Sequence, residues 1–183
     1  MNALTRLFWL FSILTIAHFA YIHIFIMPGI LADSGGIPPL DTAITGYTAA
    51  EAKAFFLAIE ASGNTSFAAF HAFDDRVFPI LYGTALALAV WLLADGWSKP
   101  VRIILAITPL LATAVDYLEN AKIVAMLKMD AAQIPESLAD AANSMTTTKY
   151  TLIGISIGII VVILVKRLVA GSARQTGPDN EKL

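Results

Sequence analysis

Four apolar stretches, Leu7–Ile26, Val77–Leu93, Ile103–Ile123 and Tyr150–Val165, constrain this chain more than any other feature. Each is about 16 to 21 residues long, and an α-helix needs ~20 to cross a ~30 Å hydrocarbon core. No hydrophilic stretch between them is large enough to fold as a separate soluble domain. The expected architecture is all-α: a four-transmembrane-helix bundle over residues 1–169, with spans near 7–26, 77–95, 101–127 and 150–168. Residues 170–183, with Gly171, Gly177, Pro178 and scattered charges, read as a disordered cytoplasmic tail.

Composition supports the bilayer reading and excludes several functions. The chain is 57% hydrophobic and 14% charged, against ~45–50% and ~25% for a soluble domain. A formal net charge of −2 offers no basic surface for nucleic acid. The absence of cysteine removes disulfides, thiolate metal sites and a cysteine nucleophile. The first stretch shares with a secretory signal one preceding positive charge and a small-residue site at Leu31-Ala32. It is longer than the ~7–15 residues of a signal h-region and carries His18 and His23, so its retention as a first span is expected.

An even number of spans puts both termini on one side. Arg6, Lys99, Arg102, Lys166, Arg167, Arg174 and Lys182 fall on that side, and Lys53, Arg76, Lys128 and Lys149 on the other. The bias predicts a multi-pass protein of the cytoplasmic (inner) membrane with both termini cytoplasmic.

The connections differ in character. Ala94–Arg102 reads as a short cytoplasmic hairpin, with Pro100 suited to the first turn of the next helix. Met27–Arg76 is the largest extramembrane segment and opens on turn residues at Pro28-Gly29. Thr48-Ala49-Ala50-Glu51 is a capping box ahead of a helix, and Gly63 is its expected stop. Phe67, Phe70 and Phe73 recur at i, i+3 spacing, as in a short interfacial helix on the membrane surface; the alternative is that they cap the bundle. Met129–Thr148 reads as a polar, Ala-rich outer connection with a short helix near Glu136–Ala142.

The polar residues inside the spans are the candidates for chemistry. Asp116, Glu119 and Asn120 have the i, i+3, i+4 spacing of one helical face. Exposing a central Asp to lipid costs ~2.5 kcal/mol or more, so that face should point into the bundle. At ~1.5 Å per residue, Asp116 lies about 20 Å from the cytoplasmic start of its span. Similar arithmetic brings His18, His23, Asp75, Arg76, Tyr82 and Lys149 toward the outer half. The expected polar cluster is therefore Asp116, Glu119, Asn120, His18, His23, Asp75, Arg76, Tyr82 and Lys149. Arg76 is the preferred carboxylate partner because its fork can bond both oxygens; Lys149 is the second choice.

Asp116, Glu119 and His18 are the candidates for acid–base catalysis. A metal held by His18, His71, Asp116 and Glu119 lacks any supporting motif spacing, and neither a metal nor another cofactor is expected. Gly154 and Gly158 form G-x-x-x-G, which permits a homodimer contact or close packing inside the bundle. Gly83 and Ala87 offer an internal partner stripe.

The segments Pro38-Pro39-Leu40-Asp41, Gly46–Ala52, Asp75-Arg76-Val77-Phe78-Pro79 with Tyr82-Gly83, Pro109 and Asp116-Tyr117-Leu118-Glu119-Asn120, and Thr148-Lys149 resemble an uncharacterised family of small four-span bacterial membrane proteins. The resemblance covers most of residues 38–150. It implies the four-helix architecture and an outward-facing polar cluster, and it implies no activity and no cofactor. Three functions follow from the residues. The first is binding of a membrane lipid or small amphiphile at the polar site. The second is a lipid-modifying isomerase or hydrolase using Asp116 or Glu119. The third is a structural or assembly role in which the cluster clamps helices.

Overall fold

The computed structural model describes residues 1–175. Among these, seven α-helices and short helical turns form an all-α bundle, and four helical segments are long and apolar enough to cross a membrane. The first segment joins α1 (Ala3–Tyr21) to α2 (Met27–Asp33) through a π-helical turn at Ile22–Ile26. Asn2 opens it, its side chain accepting from Thr5 N–H at 2.9 Å. Pro28-Gly29 suggests a loop in sequence terms; the helix instead runs on to Asp33. Pro28 occupies the first turn of α2, where a missing N–H is tolerated.

A cap of α3 (Ala49–Ser62) and α4 (Ser66–Ala72) follows, then the second span α5 (Asp74–Leu93) and the third span α6 (Lys99–Leu127). The capping box forms as expected. Thr48 Oγ1 accepts from Glu51 N–H at 3.2 Å, and Glu51 accepts from Thr48 N–H at 2.7 Å. Gly63 ends α3 at φ 67°, where a side chain would be strained. Phe67 and Phe70 are buried against Phe55, Phe56, Ile123 and Met126, so these two rings close the bundle's end. Phe73 alone of the three faces outward.

The fourth span belongs to α7 (Glu136–Gln175). The outer connection expected before Tyr150 is the first part of this same helix. At ~1.5 Å per residue it is about 60 Å long, twice the hydrocarbon thickness. Its polar start therefore projects into the capped end and carries Thr146 and Lys149 on a continuous rod. The expected tail is helical to Gln175, and the rest of it, 176–183, lies outside the described residues.

The helix α1 packs on α5, α5 on α6, and α6 on α7. Large apolar side chains such as Trp9, Ile13, Ile104, Leu111 and Val161 are exposed around the spans, as a bilayer solvent requires. The main cluster of buried apolar residues sits in the cap, where the spans meet α3 and α4.

The spans α5 and α6 approach closely at Gly83. A Cβ there would collide with Thr113 Oγ1 and lie 3.4 Å from the Pro109 carbonyl. Gly83 therefore serves the contact of α5 with α6 rather than a contact with the fourth span. A Cβ added at Gly154 or Gly158 would meet nothing within 4 Å, and both glycines face outward. Gly83→Ala should destabilise the purified protein by about 1–3 kcal/mol through overpacking, whereas Gly154→Ala should stay within about ±0.5 kcal/mol. Thermal unfolding in detergent compares them, and equal midpoints would contradict the close approach.

Candidate functional site: a buried ionic cluster beside a lateral cavity

Asp116, Glu119 and Asn120 are all buried on one face of α6, as their spacing requires. Their partners come from two other elements, α5 and α7. Asp116 Oδ2 accepts from Tyr82 OH of α5 at 2.8 Å, and its Oδ1 lies 3.5 Å from Lys149 Nζ of α7. Glu119 Oε2 is 2.5 Å from the same Nζ, and Oε1 accepts from Thr146 Oγ1 at 2.5 Å. Lys149 thus bridges two carboxylates and also donates to the Asp41 carbonyl at 3.4 Å.

Asn120 has a different task. Pro79 has no N–H to give to the carbonyl one turn earlier, that of Asp75. Asn120 Nδ2 donates to that carbonyl at 2.9 Å. A backbone acceptor freed by proline inside a span is thereby satisfied, which the dry environment demands.

Two further groups complete the floor. Asp41 sits in a short 3₁₀ turn (Leu40–Thr42), and its carbonyl also accepts from Tyr150 OH at 2.9 Å. His71 of α4 is buried between Phe67 and Phe70, with Nδ1 2.7 Å from Asp75 Oδ2. Burial pushes the Asp41 carboxyl above its ordinary range, with Asp75 adding to the effect and His71 and Lys149 opposing it. Burial also opposes the charged form of His71. The carboxylates of Asp75, Asp41 and Glu119 outweigh that cost and raise its pKa. The Tyr47 hydroxyl, buried nearby, is pushed up to about 12.

Several sequence expectations need correction. Arg76 is exposed and its side chain does not meet the carboxylates; its backbone carbonyl accepts from Tyr117 OH at 2.6 Å. Because Asp74 and Asp75 turn inward at the start of α5, the next residue is carried outward, and Lys149 takes the counter-ion role. His18 does not reach Asp116: its Nε2 donates to the Asp74 carbonyl at 3.3 Å. His23 does not reach the carboxylates, since its Nδ1 donates to the Phe19 carbonyl at 3.0 Å, but its side chain lines the lateral cavity. The four-ligand set His18, His71, Asp116 and Glu119 is consequently not assembled.

Asp41, Thr146 and Tyr150 belong to the cluster although no sequence pattern marks them for it. Asp41 lies in a loop whose fold over the bundle has no periodic signature. Thr146 follows from Lys149 once α7 is known to be continuous, since it lies three residues before it on the same face, and Tyr150 joins through its bond to the Asp41 carbonyl.

A cavity of about 640 Å³ borders the cluster. Ser12, Thr15, Ile16 and Phe19 of α1 form one side and Lys149, Tyr150 and Ile153 of α7 another. Phe78, Tyr82 and Leu86 of α5 form the back, and Asp41, Asp75 and Asp116 bring carboxylates to its polar end. Glu119 is not among the lining residues and is fully buried with Thr146 and Lys149. The cluster therefore has two halves: Glu119 and Thr146 are sealed and clamp α6 to α7, whereas Asp116 faces open space, and Lys149, which lines the cavity, joins the two.

No family model, curated protein or solved structure matches this chain.

Proposed function

We propose that this is an integral membrane protein that binds a lipid or small amphiphile, its chain between α1 and α7 and its head at the Asp41–Asp116 end of the cavity. The observation that carries this reading is the cavity's composition. Its volume falls within the ~300–1,000 Å³ of ligand sites, which pair apolar walls with a few convergent polar groups. Its sides are made by two spans that are not a main packing pair, so a chain can enter sideways from the bilayer. The sealed half of the cluster supports a structural duty for Glu119. The acid–base reading has less support, because His18 is engaged by Asp74 and Glu119 is cut off from the cavity.

Leu86→Trp would fill the back wall of the cavity. The wild-type chain, extracted gently from membranes, should carry a lipid adduct in native mass spectrometry, and Leu86→Trp should lose it. Equal occupancy in both proteins would sink the binding site.

The Lys/Arg distribution supports both termini on the cytoplasmic side and the α3–α4 cap outside; a bacterial inner membrane is what the family resemblance implies. Ser62 in the cap and Ser98 in the α5–α6 hairpin are both exposed. In intact cells, a membrane-impermeant thiol reagent should label Ser62→Cys and spare Ser98→Cys. The opposite pattern would reverse the orientation.

A further inference from the structure

Asp41 sets the chemistry of the cavity's polar end. The residue is only 8% exposed, lines the cavity, and its Oδ1 is buried without a hydrogen-bond partner. Its position is not accidental slack, because its own carbonyl is held by Lys149 and Tyr150 from α7. Around it stand His71 of α4, Asp75 of α5, Asp116 and Glu119 of α6, and Lys149 of α7. Of the basic groups, Lys149 is held by Asp116 and Glu119, His71 is held by Asp75 through Nδ1 while its buried Nε2 has no partner, and His23 of the first span lines the cavity with its Nδ1 on the Phe19 carbonyl. An incoming head group therefore meets acceptors and surplus negative charge. A phosphate head would be repelled there, and a neutral hydroxyl would satisfy Asp41 without balancing charge.

We infer that the amphiphile has a primary ammonium head, which donates to Asp41 while its chain lies along Ile16, Phe19, Phe78 and Leu86. This rests on the cavity being a binding site and adds the class of its ligand. An ammonium adds a donor and a positive charge beside a carboxylate that His71 and Lys149 balance only in part, and a charge-assisted hydrogen bond is about twice as strong as a neutral one. Burial raises the Asp41 carboxyl above its ordinary range, so a proton and the cation compete for it. Binding should consequently tighten as pH rises, up to the pH at which the ammonium itself deprotonates.

The test uses the full chain in dodecyl maltoside micelles, with Thr15→Cys on the cavity wall labelled with bimane. Dodecylamine, dodecanol and dodecyl phosphate share one chain and differ in head charge. Dodecylamine should bind about tenfold more tightly than dodecanol, with dodecyl phosphate weakest. Asp41→Asn should abolish the advantage of the amine, and Asp41→Glu should retain it. If all three bind and the alcohol or phosphate equals the amine, the ammonium assignment fails while the cavity reading stands. An undiminished amine preference in Asp41→Asn also overturns the assignment. If none of the three changes the bimane emission, the cavity reading itself fails. The wild-type ranking decides the matter even if Asp41→Asn does not fold.

Discussion

Replacing Lys149 by Met should cost the fold about 3–5 kcal/mol, the range for breaking a buried ion pair by removing one partner. The side chain is 7% exposed and stands between Asp116 at 3.5 Å and Glu119 at 2.5 Å. Methionine fills similar volume and keeps the apolar stem contacts, so the loss reports charge rather than a cavity. Two carboxylates would then remain buried in a low-dielectric bundle without their cation, and each must give up its charge or bring water in. Thermal unfolding of the purified chain in detergent measures the effect. Adding Glu119→Gln to Lys149→Met should recover part of the loss, because the amide oxygen can still accept from Thr146. An unchanged midpoint in the single variant would remove Lys149 as the counter-ion. Failure of Glu119→Gln to recover anything would instead place the cost in packing.

The spans were legible because the bilayer imposes length and apolarity together, and four stretches met both. The inward face of α6 was legible for a related reason: Asp116, Glu119 and Asn120 share a helical face that lipid would penalise. Partner choice was less accessible. Arg76 and Lys149 both border the cluster in sequence terms, and only the turn into α5 decides which points inward. That turn buries Asp74 and Asp75, which one-dimensional periodicity does not foretell. The polar start of α7 resembled a loop because Asn143, Thr146, Thr147 and Thr148 are poor helix formers. Tertiary bonds override that preference: Asn143 accepts from Tyr47 N–H at 2.9 Å, and Thr146 donates to Glu119. Asp41 left no trace in the periodicity, since its role depends on a loop folding against α7.

His71→Leu should destabilise the protein most below pH 6.5 and progressively less above it. The wild-type side chain is fully buried and pairs with Asp75 at 2.7 Å. Burial disfavours the imidazolium, but Asp75, with Asp41 and Glu119 behind it, more than offsets this, so the folded pKa lies above the ordinary value of 6.5. A basic group with a raised folded pKa contributes stability that is fully present below its unfolded value. That contribution is lost as pH rises through the folded value. Below pH 6.5 the variant should therefore lose about 3 kcal/mol, the lower end for an opened buried pair. Asp41, also raised by burial, makes stability fall with pH over a window that begins lower, near the ordinary carboxylate value. Because His71 and Asp41 act on each other, removing His71 also raises the Asp41 carboxyl further, so the difference between the two pH curves reports His71 together with its coupling to Asp41. The loss should be local first, since His71 ties the seven-residue α4 to the start of α5. Amide hydrogen exchange over residues 66–73 should quicken in the variant more than exchange within α6. Parallel pH curves for the two proteins would mean that His71 carries no charge in the fold, and the coupling of the cap to Asp75 would then have to rest on the Phe67 and Phe70 contacts alone.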